Sequence, residues 1–320
     1  VWDRYIEIAE EFNDPGTFST IIGYEWTSTE DGNNLHRNVL YRDGGALARR
    51  MLPFTAAESF NPEELWKWMQ RYEQETGGKV LALAHNGNMS NGIMFPVERN
   101  PDNGKRLTGD YARSRARWEP LYEVTQIKGD GETHPLLSPN DEFADFETLA
   151  LGNLNLTVPK TDDMYQYEYA REALKNGLEL EAKHGTNPYK FGMVGSSDAH
   201  TALSAMEEEN YFGKHSGTEP SPGRIDHPMA EFAGRRYEGW AMSASGYAAV
   251  WATENTREAL WDAMMRKEVY ATTGPRILVR FFGGWDFSEA DASNRLPAEV
   301  GYGKGVPMGG DLSAAPAGKA

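Results

Sequence analysis

The sequence predicts an α/β fold on a mainly parallel sheet, with its strands gathered as a barrel. Three observations predict it. Short, continuously apolar runs at residues 79–84 (KVLALA) and 191–195 (FGMVG) read as strands covered on both faces. Helical patterns alternate with such runs along the chain. Four of the runs lead into an acid or a histidine, as expected where the carboxyl ends of barrel strands meet at one mouth.

The elements follow in order. Trp2, Ile6, Ala9 and Phe12 fall near helical spacing, so residues 1–13 read as an amphipathic helix that ends at Asn13-Asp14-Pro15-Gly16. Residues 18–26 (FSTIIGYEW) and 35–41 are strands. Asn61-Pro62-Glu63-Glu64 opens a helix with a capping residue, Pro at the first helical position and acids in the first turn; it runs to about Glu75 and stops at Gly77-Gly78. After the strand at 79–84, residues 86–110 form a long loop. Residues 121–127 (LYEVTQI) are a strand, 128–139 a polar loop, 141–149 a short helix, and 162–184 the longest helix. Residues 191–195 are a strand and 203–247 a loop or lid. Residues 256–267 are a helix with Asn255 as cap, and 276–282 (RILVRFF) is the strand that closes the barrel.

Composition narrows the function. A chain of 320 residues makes one large α/β domain or two modest ones. The net charge of −16 argues against nucleic acid as the main partner. No stretch approaches the 18 apolar residues of a membrane span. There is no cysteine, so thiolate nucleophiles, disulfides and Cys-based zinc sites are excluded and any metal must be held by His, Asp and Glu. The chain opens at Val1 directly in a helical run with no visible signal peptide, and its last thirty or so residues are rich in Gly, Ala and Pro; both ends read as cut.

The candidate residues sit at strand ends. Ile21-Ile22-Gly23-Tyr24 leads to Glu25, Leu81-Ala82-Leu83-Ala84 to His85, Leu121-Tyr122 to Glu123, and Met193-Val194-Gly195-Ser196-Ser197 to Asp198-Ala199-His200. Asp198 and His200, two apart on an extended chain, point to one face. Taken singly, an Asp-x-His pair is usually a turn, and a His at the end of a buried strand is more often a satisfied core residue than a ligand. A buried Glu25 needs a cation, either a metal or a guanidinium such as Arg37 or Arg42. His36, in Asn33-Asn34-Leu35-His36-Arg37, reads locally as a loop residue. Asn86 either orients His85, contacts substrate, or merely turns the chain with Gly87. Together, three His and two carboxylates suffice for one saturated or two open divalent sites, and N and O donors suit zinc, manganese or iron.

At these residues the sequence resembles the polymerase-and-histidinol-phosphatase (PHP) superfamily. The matching pieces are Gly23-Tyr24-Glu25, His36, Leu83-Ala84-His85-Asn86 and Gly195-Ser196-Ser197-Asp198-Ala199-His200. A closer likeness over nearly the whole chain is to the domain-of-unknown-function 3604 group, through Trp118 to Gln126, Gly129 to His134 and Ser138 to Phe143. The resemblance implies a distorted (β/α)7 barrel over residues 1–285, incomplete at its N-terminus, with 286–320 as the start of a linker or β segment. It implies a bridging Glu25, metal ligands His36, His85, Asp198 and His200, and two or three metal ions in the complete protein. The superfamily's opening His-x-His motif is missing, so the resemblance implies that further ligands lie before residue 1. It also makes a periplasmic or secreted location an expectation, with the cytoplasm not excluded.

The activity expected is hydrolysis of a phosphate ester, or a similar anionic ester such as a sulfate, by a metal-activated water. Glu25, His85, Asp198 and Glu123 are its catalytic candidates. Asn86, Arg117, Lys128 and His134 are candidates to face a small anionic substrate, with a solvated loop or structural ion pair as the plainer reading. Two alternatives stand beside it: amide or lactone hydrolysis of the amidohydrolase type at a similar centre, and a non-catalytic barrel that binds ligands through its long loops, where aromatic residues would suit a sugar.

Overall fold

A mixed six-stranded sheet organises the chain. The computed structural model describes residues 1–201, 203, 212–215, 219, 221–223, 226–239 and 246–319. Gly23–Trp26 (β1), Arg37–Tyr41 (β2) and Val80–Ala84 (β3) pair antiparallel in that order. Leu121–Gln126 (β4) lies parallel to β3, and Gly129–Asp130 (β5) turns back on it. Gly192–Gly195 (β6) lies parallel to β4 on its other side. Pro228–Phe232 (β7) and Arg235–Glu238 (β8) form a separate hairpin. Tyr247–Val250 (β9) and Val269–Thr272 (β10) pair with each other and pack beside β6, where Gly246 N–H donates to Ser196 O at 2.9 Å.

This sheet corrects the expectation of a (β/α)7 barrel. β2 runs against both its neighbours, and only a short 3-10 turn, Glu30–Gly32, lies between β1 and β2. A (β/α)7 barrel needs parallel neighbours joined by helical crossovers and staggered in one sense. β1 pairs only with β2, and among the described residues no ladder joins it to β6 or β10, so the sheet stays open. The run at 276–282 does not close it either. Ile277, Leu278 and Phe281 are exposed, and only Phe282 enters a ladder, in Phe282–Gly283 (β11) against Val306–Pro307 (β12). Apolar composition gave that run strand character, but among the described residues only Phe282 finds a ladder partner.

The helices follow local chemistry where it is strong. Trp2–Glu11 (α1) and Gly45–Ala48 (α2) precede Pro62–Thr76 (α3), where Asn61 caps by accepting from Glu63 N–H and Gly77 ends the helix at φ 77°. Gly109–Trp118 (α4), capped by Thr108, lies where no helix was expected. The long helix begins at Ala170 and runs to His184 (α5), eight residues later than its pattern suggested, because Tyr169 is extended and residues 162–168 are drawn into turns. No helix forms over 141–149. Arg257–Met265 (α6) is capped by Thr256, which accepts from Ala259 N–H, and not by Asn255. Asn255 instead accepts at its carbonyl from Gly16 and Ser19. Glu289–Ala292 (α7) and Pro297–Lys304 (α8) lie near β11. The expected lid at 203–247 falls partly outside the described residues, and its described part includes the β7–β8 hairpin.

Alternation along the strands divides the sheet's faces. Trp26, Val39, Tyr41, Ala82, Ala84, Tyr122 and Val124 point into the larger core with Leu65, Trp66 and Met69 of α3. Leu83, Leu121 and Val194 point to the other face, where Trp261 and Met264 of α6 and Val269 cover part of it. Within the larger core Glu119 accepts from Arg37 Nε and Trp66 Nε1, each at 3.0 Å, and Arg115 Nε lies 3.2 Å from its other oxygen. All three charged side chains are at most 4% exposed.

Removing that carboxylate would leave two buried guanidiniums unpaired. Glu119→Leu is expected to lower unfolding free energy by about 3–5 kcal/mol. Ile8→Ala, at an exposed site, should change it by less than about 0.5 kcal/mol. Urea denaturation measures both, and equal small effects would refute the structural role of Glu119.

Candidate metal centre

Strand direction brings the candidate ligands to one end of the sheet. β1 and β3 run the same way because each is antiparallel to β2, and β4 and β6 share that direction. The ends of β1, β3 and β6 therefore meet the start of β2. In the ladder Trp26 faces Arg37 and Arg37 faces Ala84. His36 and His85 lie one residue beyond those partners, and Glu25 one residue before Trp26, so all three side chains fall on the same face.

They meet there. One ligand atom from each of Glu25, His36 and His85 lies within 4.8 Å of the other two. Glu25 Oε1 is 2.7 Å from His36 Nδ1 and 3.9 Å from His85 Nε2. The two imidazoles are 5.5 Å apart, edge to face. Thr29 Oγ1 holds His36 Nε2 at 2.8 Å, and Thr27 Oγ1 donates to Glu25 at 3.2 Å. Arg37 and Arg42, considered as partners for Glu25, are committed to Glu119 and Asp262. Burial pushes the Glu25 carboxyl up, but the His36 hydrogen bond and the charges of His85 and His36 outweigh it and hold it at about 2. Burial pushes His85 down to about 3 against the pull of Glu25. An ionised carboxylate beside a neutral imidazole is the protonation state that divalent ions require.

The donor set fits such an ion. Two imidazoles and a carboxylate suit zinc, manganese or iron. His85 Nδ1 and the neighbouring Asn86 Oδ1 are buried without hydrogen-bond partners, so each keeps an unused hydrogen-bonding position. Asn86 itself turns at φ 49°. Asn34, which sequence reasoning passed over, fixes this turn by donating to His85 O at 2.7 Å and Asn86 O at 3.1 Å.

Asp198 and His200 stand next to this group without joining it. Asp198 accepts from Lys128 Nζ and lies 2.5 Å from Lys214 Nζ, while His200 Nε2 is 3.2 Å from its other oxygen. Burial raises the Asp198 carboxyl, and the two ammonium groups more than reverse that, holding it well below the usual range. Its backbone is left-handed, at φ 49°, a strained state that concentrates at functional positions. His200 is half exposed, with its ring 5.0 Å from that of His215. Lys128, a candidate to face substrate, pairs with Asp198, and Lys214 was missed because nothing in Gly213-Lys214-His215 marks a ligand. Burial and Lys128 push the Lys214 ammonium down to about 8.

Two expected substrate contacts lie elsewhere. Arg117, on α4, forms an ion pair with Glu73 at 2.9 Å and stacks on Trp118. His134 stacks on Tyr165 with ring centroids 4.1 Å apart, and burial lowers its pKa. Each is thus held by a structural partner from a distant part of the chain.

Glu123 completes the face. It is 3% exposed, its Oε2 accepts from Ser196 Oγ, and its Oε1 has no hydrogen-bond partner. With Glu25, Asn38 and Ser196 it lines a cavity of about 410 Å³ whose other walls include Leu40, Leu83, Leu121, Val194 and Met264. Burial, with Asp198 adding to it, raises the Glu123 carboxyl from 4.5 to about 7, against opposing pulls from Ser196, Gln126 and Lys128. A raised carboxyl favours folding where it is protonated, so this contribution is complete below about pH 4.5 and is lost as pH rises to about 7. Glu123→Gln is expected to abolish that part of the stability profile, a difference on the order of 3 kcal/mol between the two ends. Urea midpoints measured from pH 4.5 to 8 test this; parallel profiles for both proteins would refute it.

No curated protein and no solved structure matches the chain. A family model, "Protein of unknown function (DUF3604)", matches residues 1–320. That match spans every strand and every candidate ligand described above, and the chain belongs to the DUF3604 family.

Proposed function

We propose that this chain carries the site of a metal-dependent hydrolase acting on a phosphate ester or a similar anionic ester such as a sulfate. The observation that carries the reading is the convergence of Glu25, His36 and His85 ligand atoms within 4.8 Å beside two ammonium groups. A kinship with the PHP superfamily is part of this proposal, and it rests on Gly23-Tyr24-Glu25, His36, Leu83-Ala84-His85-Asn86 and Asp198-Ala199-His200.

Glu25, His36 and His85 would hold a divalent ion, which supplies Lewis acidity and an acidified water. Thr29 fixes the His36 ring by engaging its second nitrogen, the usual task of a group behind a metal-binding imidazole. Lys128 and Lys214 give two positive charges to the one negative charge of Asp198. The surplus attracts an anionic group and steadies charge that builds on it. Asp198 holds both ammonium groups in place, and His200 buttresses its second oxygen.

Metal analysis and calorimetric titration with zinc, manganese and iron(II) test the centre directly. His85→Ala should abolish stoichiometric binding, and Thr29→Ala should weaken it by about 10–100-fold. A panel of aryl phosphates, phosphodiesters, aryl sulfates and carboxamides then tests the chemistry. Turnover of the anionic esters that falls with His85→Ala is expected. Turnover of carboxamides alone would favour the amidohydrolase-type reading, and absence of both metal and turnover would leave a binding protein.

A further inference from the structure

Residues 275–281 form an exposed strap that is tied down along one side only. Every one of them is exposed, Leu278 at 82% and Phe281 at 67%. Among the described residues no strand ladder receives them, and their anchors are mostly side chains. Tyr270 Oη donates to Ile277 O at 2.8 Å and accepts from Val279 N–H at 3.2 Å. Trp251 Nε1 donates to Val279 O at 2.8 Å, and Met308 N–H donates to Phe281 O at 2.9 Å. The Arg280 guanidinium lies 3.6 Å from the centroid of the Trp251 ring.

The anchored residues alternate: 277, 279 and 281. In an extended chain the N–H and C=O groups of alternate residues point to opposite sides. Leu278 and Arg280 therefore turn theirs away from the body, and among the described residues nothing hydrogen-bonds either backbone. This is an open strand edge. It lacks the proline and lysine that commonly blunt such edges, and its one charge, Arg280, is stacked on Trp251.

The free groups match those of the same segment in a second copy. Antiparallel pairing about a two-fold axis at Val279 sets Leu278 of each copy opposite Arg280 of the other. Those pairs exchange hydrogen bonds through the outward groups alone. Val279 then faces Val279, and Ile277 faces Phe281, as non-hydrogen-bonded pairs whose backbone groups are the ones already anchored inward. Branched and aromatic side chains in such pairs support a ribbon. Charge fixes the register. Moving it by two residues either way sets arginine against arginine, Arg276 with Arg280 or Arg280 with itself.

We propose that residues 277–281 pair antiparallel with the same residues of a second copy, making the chain a two-fold dimer. The contact goes beyond the hydrolase reading and is independent of it, since its test reads association and no turnover.

The chain has no cysteine, so a single introduced thiol reports the register. In the proposed pairing the two Val279 Cα atoms stand about 4.5 Å apart, inside the disulfide range of about 4.4–6.8 Å. The two Leu278 side chains lie on a diagonal, about 7–8 Å apart. Under a glutathione redox buffer Val279→Cys should form a covalent dimer well ahead of Leu278→Cys. Random collision predicts the reverse order, because Val279 is 44% exposed and Leu278 82%. Sedimentation equilibrium of the unaltered chain should show a reversible dimer. Ile277→Lys and Phe281→Glu should each weaken it at least about tenfold. The double variant should restore it, because the introduced lysine of one copy faces the introduced glutamate of the other. Thermal midpoints near that of the unaltered chain establish that each variant is folded, and the cysteine comparison stands should a charged variant fail that check. A monomer at every concentration, with the edge then left to some other extended peptide, would overturn the proposal. So would Leu278→Cys cross-linking as fast as Val279→Cys, or a folded double variant no better than the single ones.

Discussion

The Glu119 carboxylate, shared between the buried guanidiniums of Arg37 and Arg115, fixes the relations on which the rest of this fold depends. Arg37 begins β2, Arg115 lies on α4, Trp66 on α3, and Glu119 stands two residues before the strand β4. One carboxylate therefore ties two helices to two strands at a single point. Arg115 also lies over the rings of Phe95 and Tyr189 at 5.3 and 4.7 Å, so its desolvation is partly offset by aromatic faces. A buried network of this kind costs much to assemble and more to break, so it admits few alternative arrangements.

The centre inherits its geometry from that point. His36 is covalently next to Arg37, so whatever fixes the start of β2 also fixes the first imidazole. Ala84 faces Arg37 across the ladder, and His85 follows it. Glu25 arrives from the opposite edge through its pairing with Asn38. Three donors far apart in sequence are thus positioned by backbone ladders, with Thr29 and Asn34 restraining a ring and a turn. Sites carried on strands in this way are better defined than sites carried on loops. Asp198 shows the contrast. It lies past the end of β6 in a left-handed turn, and the partners that secure it are lysines from two loops.

Legibility in the sequence tracked how local the determining physics is. The cap at Asn61, the stop at Gly77 and the fully buried VLALA strand were all readable, because each is settled by a few neighbouring residues. Helix α4 was not, since its sequence GDYARSRARW is polar overall and only Tyr111, Ala112, Arg115 and Trp118 turn inward. The run RILVRFF misled for the opposite reason: it has strand composition, yet among the described residues only its last member, Phe282, finds a strand partner. Among site residues, Glu25, His85, Glu123 and Asp198 were visible as polar residues ending apolar runs, whereas Lys214, Thr29 and Asn34 carried no local mark. Arg117 and His134 attracted notice by chemical type alone, and their true partners, Glu73 and Tyr165, lie far along the chain.

The sequence by itself determined the strands β1 to β4 and β6, the helices α1, α3, α5 and α6, the exclusion of cysteine chemistry and the short set of acids and histidines able to hold a cation. It did so because apolar period, capping and residue type act over a few positions. Only the tertiary structure decided that the sheet is mixed and open, that Glu25, His36 and His85 converge, and that Asp198 is neutralised by two lysines. Strand direction and partner choice depend on contacts between residues up to about a hundred positions apart, such as Arg37 with Glu119, and no local pattern encodes them.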